Sequence, residues 1–266
     1  MILLFIKGTL KFFFKEEYPR WYGPILEVLA TFLLLATLWF TSKAYSPVAL
    51  NQVDYFEYLL IGELVLHLPF SLLYQGLRLM KRIGLSNTAD QLIVANRSIL
   101  KMASSFLGVY FLKNCVRLIL LFVLASLFFK APFSLEQIPI YFLIVLLSSI
   151  PFVMLSLSLG SIVLFWGRGE NIWGQVSSWM SFLSGAYFPL SIFPQWLQEL
   201  LPFINPFALY LEMSRKALSS SSLESISGES FMLVGWTIFF GVCLAISYKM
   251  GLSKYRKSGT PNSYSF

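Results

Sequence analysis

The chain has 266 residues, of which 57% are hydrophobic and 12% charged, about half the charged share of a soluble globular domain. Together with a mean hydropathy of +0.70, this excludes an ordinary water-soluble enzyme or binding module, because ionised groups are expensive in lipid and this chain has few of them. The net charge of +7 comes from basic residues that flank apolar blocks, which fits anionic headgroups and membrane orientation and argues against nucleic acid as a partner.

The first segment, Met1 to Trp21, begins apolar, but its charges follow the apolar residues and no small-residue cleavage site appears. A signal peptide has the opposite order. Lys7, Lys11 and Lys15 recur every four residues, with Ile6, Leu10, Phe13 and Phe14 elsewhere on the wheel. That spacing predicts an amphipathic helix in the membrane interface over residues 1–22. A soluble helix resting on a partner is the alternative.

Six spanning helices are expected in a membrane core over residues 24–252. A crossing needs about 20 mostly apolar residues. The first runs from Pro24 to Lys43, and Tyr45, Ser46 and Pro47 begin a short loop. The second, Tyr55 to Leu77, should bend or become irregular near Pro69, which lacks an N–H. A polar stretch follows from Arg78 to Lys101. The third span is expected from Ala103 to Phe129, and the fourth from Ile138 to Trp166 with Pro151 inside. A polar hairpin, Gly167 to Asn171, leads to a fifth span from Ile172 to Leu190. The proline-punctuated stretch to Pro206 is too broken to span. Ser219 to Ser230 reads as a solvated loop, the sixth span as Phe231 to Gly251, and residues 253–266 as a basic tail. No repeat and no second domain is visible.

Fourteen of the 20 lysines and arginines fall on one side of this arrangement: Lys7 to Arg20, Arg78 to Lys101, Arg168, and Lys249 to Lys257. Lys43, Lys130, Arg215 and Lys216 fall on the other. The bias predicts a multi-pass protein of the cell's inner (plasma) membrane with both termini in the cytoplasm.

Chemistry-bearing residues are sparse. No G-x-x-x-x-G-K-[ST] motif is present, so no ATP hydrolysis is expected on this chain. It is read as a non-enzyme with no catalytic residue, cofactor or metal site of its own. Glu63 and the single histidine, His67, lie four apart on one helical face. They are read either as a proton or substrate contact or as a mutually satisfied pair. Lys113 and Arg117 form a second such pair. Glu63 or an anionic substrate is the expected partner, or else both cations snorkel to the interface. Trp173, Trp179, Tyr187, Trp196 and Tyr210 cluster around the fifth span. Interface belts account for most of them, with a substrate-lining role open for Tyr187. Cys115 and Cys243 sit in apolar blocks and report nothing about redox compartment.

Two segments resemble the type-2 ABC exporter permease family. SGAYFPLSIFPQW (Ser184 to Trp196), followed by INPFALYLEMSRKAL (Ile204 to Leu218), is similar to the family's pattern through Ser184, Gly185, Phe188, Pro189, Pro194, Trp196, Asn205, Pro206 and Arg215. The resemblance implies a re-entrant helical hairpin between the fifth and sixth spans that closes the external end of a pathway. Broken backbone at membrane depth survives only where protein or a wet cavity shields it. Thr88, Ala89, Asp90, Gln91 and Leu92 resemble the family's cytoplasmic coupling helix. Thr88 and Gln91 have capping-box spacing, and Asp90 complements the helix N-terminus. Asn87 and Asn96 depart from the family's usual glycine and proline.

The resemblance covers nearly the whole chain in layout. It implies an all-α, single type-2 transmembrane domain over residues 1–266 that pairs with a second permease copy or paralogue. Two separate ATPase subunits would carry ATP and magnesium. The expected function is ATP-driven export of an amphipathic, lipid-linked or hydrophobic substrate. An ATP-independent transporter or channel using Glu63 and His67, and a non-transporting scaffold subunit, are the alternatives.

Overall fold

Apolar segments with no water to satisfy their backbone must close their hydrogen bonds internally, and helices do so. The computed structural model of the chain describes residues 23–44, 55–86, 88–129, 137–166, 170–219 and 227–258. Among these residues there are helices and turns and no strand. In chain order they are α1 (Gly23–Ala44), α2 (Tyr55–Leu85), α3 (Thr88–Val94), α4 (Ile99–Phe129), α5 (Gln137–Trp166) and α6 (Glu170–Phe182). A 3₁₀ turn at Leu190–Ile192 leads to α7 (Gln195–Ile204), α8 (Pro206–Ser219) and α9 (Ser227–Ser258). The expected interfacial helix at residues 1–22, Asn87, the centre of the polar hairpin at 167–169 and the tail beyond 258 lie outside the described residues.

Five described helices are long and apolar enough to cross a bilayer: Ile25–Ala44, Tyr55–Leu85, Ile99–Phe129, Tyr141–Trp166 and Gly228–Lys254. The segment expected as the fifth span, Ile172 to Leu190, folds differently. Its helix α6 has 13 residues and stops at Phe182; at 1.5 Å per residue it rises about 20 Å, short of a core of about 30 Å. Local chemistry ends it. The Ser184 hydroxyl donates back to the Ser181 carbonyl at 2.6 Å, and Gly185 turns the chain with φ +85°, a left-handed conformation that glycine enters without steric cost. Apolar periodicity continues through this turn, so composition alone does not mark it.

Other boundaries shift outward. The polar stretch Arg78 to Lys101 is mostly helix, formed by the end of α2, by α3 and by the start of α4. Ser98 begins α4, accepting on its side chain from Lys101 N–H at 3.4 Å. Ser227 to Ser230, expected as loop, form the first turn of α9, which also runs on into the expected tail. Pro69 and Pro151 both lie inside continuous helices.

The core is built on α2 and α5, whose apolar windows are 67% and 56% buried, against 11–28% for the windows of α1, α4 and α9. Apolar surface alone does not bring helices together in lipid, so close backbone approach and interhelical hydrogen bonds carry more weight. A Cβ at Gly76 would stand 1.7 Å from Ser156 Oγ, and one at Gly160 2.6 Å from Met80 Cγ. Ser156 donates to the Leu72 carbonyl at 2.9 Å, and Tyr141 donates to the Leu64 carbonyl at 2.9 Å. On the other side α9 closes against α5 at Gly251, where a Cβ would meet the Phe165 ring at 2.0 Å. Phe32 of α1 meets Phe128 of α4 edge-on at 5.5 Å.

Candidate functional site

The segment after α6 is held by three devices, each traceable to residue type. Asn205 precedes Pro206, and this order suits a helix start: asparagine caps, and proline at the first helical position has no N–H to leave orphaned. Asn205 Oδ1 accepts from Phe207 N–H at 3.1 Å, while Nδ2 donates to the Met180 carbonyl at 2.7 Å. Two further prolines mark element starts: Pro189 precedes the 3₁₀ turn and Pro194 precedes α7, with φ −56° at both. Downstream, α8 is anchored in the core. Phe207 stacks on Phe70 of α2 at 4.5 Å and lies 4.9 Å from Phe152 of α5, and Tyr210 lies 5.7 Å from Phe152.

The third device is a clamp on the first turns of α2. Arg215 Nη1 donates to the Tyr58 hydroxyl at 3.0 Å, and its guanidinium stands 3.9 Å from the centre of the same ring. Tyr58 in turn donates to the Gly185 carbonyl at 2.5 Å. Tyr55, one turn earlier, donates to the Tyr187 carbonyl at 3.1 Å. At Gly62 the backbones nearly touch: a Cβ there would stand 2.7 Å from the Ala186 carbonyl oxygen. Next to Arg215, Lys216 bridges to Glu212 at 3.0 Å and to Glu229 of α9. The hydrogen bond to Glu229 holds the ammonium above the usual lysine range.

Directly beyond this clamp is a cavity of about 320 Å³ between α2 and residues 181–187. Its α2 wall is Gly62, Glu63, Leu66, His67, Phe70, Ser71 and Tyr74, and the facing wall is Ser181, Ala186 and Tyr187. The helical repeat brings these α2 residues to one side. Glu63 Oε1 and His67 Nδ1 are 3.7 Å apart, too far for a hydrogen bond. His67 Nε2 is buried and has no hydrogen-bond partner among the described residues. The cavity therefore offers a carboxylate, an imidazole and hydroxyls within an otherwise apolar wall, a set suited to a polar group carried by an apolar ligand.

The structure thus brings together Glu63, His67 and Tyr187, three of the five residues expected along a substrate pathway. It separates the other two. Lys113 Nζ lies 4.0 Å from Glu27 Oε2 of α1, in place of the expected Glu63. Arg117 is one turn further along α4 and does not line the cavity. The aromatic cluster also divides. Trp179, Tyr187 and Trp196 are exposed, Trp173 is half-buried against the core, and Tyr210 is fully buried as a packing residue.

At the opposite end of α2, Thr88, Asp90, Gln91 and Leu92 form the two-turn helix α3. The Thr88 hydroxyl lies 2.7 Å from Ser86 Oγ. Asn96 has φ +51°, and Asn96 N–H donates to the Ile93 carbonyl at 3.0 Å while Arg97 N–H donates to the Leu92 carbonyl at 2.7 Å. This pair of bonds is the Schellman stop, and asparagine is the non-glycine residue that best tolerates its left-handed position. Asn96 therefore has a local purpose as the stop of α3.

Sequence reasoning missed Tyr55, Tyr58 and Gly62 as clamp residues, Ser71 and Tyr74 as cavity lining, and Glu27 as the partner of Lys113. The Glu63–His67 face, extended by further helical turns, reaches Phe70, Ser71 and Tyr74 and could have been followed. No family model matches the chain, and no curated protein matches it either.

Proposed function

We propose that this chain is the membrane-spanning permease subunit of an ATP-driven exporter of the type-2 ABC kind, moving an amphipathic, lipid-linked or hydrophobic substrate. The observation that carries the reading is the double engagement of α2. One end is clamped by Tyr58, Gly62 and Tyr55 to the broken segment after α6, and the other leads within three residues to the separately capped helix α3. With 31 residues, α2 spans about 46 Å, enough to link a motor docked at α3 to a gate at the far membrane face.

In this reading α6 begins a sixth crossing that the turn at Ser184 and Gly185 completes in broken backbone. The helices α7 and α8 form a re-entrant hairpin on the external side, and both termini are cytoplasmic in the inner (plasma) membrane. The clamp is the external gate, and the Glu63–His67–Tyr187 cavity below it receives the substrate's polar group. ATP and magnesium belong to two partner ATPase subunits, and a second permease copy or paralogue completes the pathway. The ATPase must favour one state of α3 over the other to supply work.

Co-purification with a nucleotide-hydrolysing subunit, and ATP-dependent flux that Asp90→Lys abolishes without loss of the assembled complex, would support the proposal. Nucleotide-free flux by the purified chain alone under a proton gradient would overturn it. That second outcome belongs to a gradient-driven transporter, which the placement of Glu63 and His67 on one cavity wall also favours.

A further inference from the structure

The far end of α9 carries a second constellation, unrelated to the clamp. Lys249, Ser253 and Lys257 recur every four residues, with Met250 and Lys254 beside them, so all five share one side of the helix. With Trp166, the last residue of α5, they line an open cleft of about 630 Å³. Lys254 Nζ stands 5.4 Å from the centre of the Trp166 ring, within cation–π range. Among the described residues that line the cleft there is no carboxylate. Three ammonium groups therefore share one recess with an aromatic wall and a hydroxyl.

The same face of α9 continues inward as an exposed apolar stripe. Val242, Ile246 and Met250 follow at intervals of four and are 53%, 54% and 57% exposed. The stripe leads directly into the lysines. A ligand that satisfies both parts has an anionic head and an aliphatic tail aligned with the helix axis. A diffuse excess of basic residues would orient the protein without any recess, whereas here the cations converge on one.

We propose that this cleft is a binding site for the phosphate headgroup of an anionic phospholipid, whose acyl chain lies along Val242, Ile246 and Met250. The lysines supply the charge, Ser253 a donor, and Trp166 the wall that fixes the headgroup at interface depth. The site rests only on the membrane assignment and stands whether or not the chain is an exporter permease.

The test is native mass spectrometry of the full-length chain in micelles doped with equal phosphatidylglycerol and phosphatidylcholine. Wild type should retain phosphatidylglycerol preferentially. A variant combining Lys249→Gln, Lys254→Gln and Lys257→Gln should lose roughly tenfold or more of that preference. The matching triple arginine variant should keep it, and Lys257→Gln alone, at an exposed position, should lose a smaller share. Equal retention of the two lipids by wild type, or undiminished preference in the glutamine variants, would overturn the proposal. So would loss of preference in the arginine variant. Displacement of the lipid by glycerophosphate as readily as by phosphatidylglycerol would assign the cleft to a soluble anion instead.

Discussion

The side chain of Asn205 reaches across to the Met180 carbonyl at 2.7 Å while its other amide atom caps the helix that follows. One buried amide therefore ties the last turn of α6 to the first turn of α8, across 25 residues of broken chain. With that end pinned in the core by Phe207 and Tyr210, the intervening turns, 3₁₀ segment and α7 have fixed anchors at both ends. The arrangement makes Asn205 more than a helix start, and the two jobs of its side chain can be separated.

Asn205→Ala removes both bonds. Loss of the cap costs about 1 kcal/mol, and leaving the Met180 carbonyl without its donor adds roughly 1–3 kcal/mol. Asn205→Ser keeps a good capping oxygen but provides no amide to reach Met180. Thermal unfolding in detergent should therefore rank wild type above the serine variant and the serine variant above alanine. Equal midpoints for serine and wild type would show that the link to Met180 contributes nothing.

Tyr58 accepts from Arg215 and donates to Gly185, so its hydroxyl is the middle of a three-part chain. Tyr58→Phe keeps the ring beneath the guanidinium and removes only the hydroxyl. The expected loss is about 1–3 kcal/mol, because a charge-assisted bond is broken and the Gly185 carbonyl loses its donor. Arg215→Lys loses the planar fork and the fit over the ring together. A double-mutant cycle between Tyr58→Phe and Arg215→Lys should give a coupling of roughly 0.5–3 kcal/mol. Strict additivity would mean that the two residues are neighbours without being partners.

The sequence was legible where a single rule dominates. Of the six spans expected from the long apolar blocks, five correspond to described helices long and apolar enough to cross a bilayer, and the ends of α1 and α5 lie within a few residues of expectation. In the sequence, Asn205 and Pro206 are read only as part of the resemblance, although an asparagine before a proline also suits a helix start. The end of α6 was not legible, because Leu183, Ala186 and Phe188 continue the apolar pattern while Ser184 and Gly185 turn the backbone. The α2 clamp was hidden for a different reason. Tyr55 and Tyr58 look like interface aromatics until a residue 157 positions away meets one of them. Lys113 suited either Glu63 or a snorkelled position by sequence, and only the packing of α1 on α4 selects Glu27.

Gly62 and Gly235 provide a controlled comparison within the same protein. Both are helical, but a Cβ at Gly62 would stand 2.7 Å from a backbone oxygen, whereas one at Gly235 would meet nothing within 4 Å. A backbone atom cannot swing aside as a side-chain tip can. Gly62→Ala should therefore push residues 185–187 off α2 and destabilise the protein by about 1–3 kcal/mol. Gly235→Ala should be neutral or stabilising by up to about 1 kcal/mol, since alanine favours the helix. If the two variants unfold alike, the close approach of α2 to Ala186 does not exist in solution.

Glu27 and Lys113 are each about three-quarters buried and face one another between α1 and α4. An ion of either sign left alone in this position is costly, since lipid offers little solvation and the partner's compensation is gone. Glu27→Lys and Lys113→Glu should each place like charges together and lower the yield of folded, monodisperse protein. The exchanged double variant restores opposite charges with the order reversed. It should recover most of the thermal stability, with a coupling of about 1 kcal/mol or more relative to the single variants. Failure of the exchange to rescue either single variant would detach Lys113 from α1 and return it to the candidate pathway, where flux in Lys113→Gln would then decide its role.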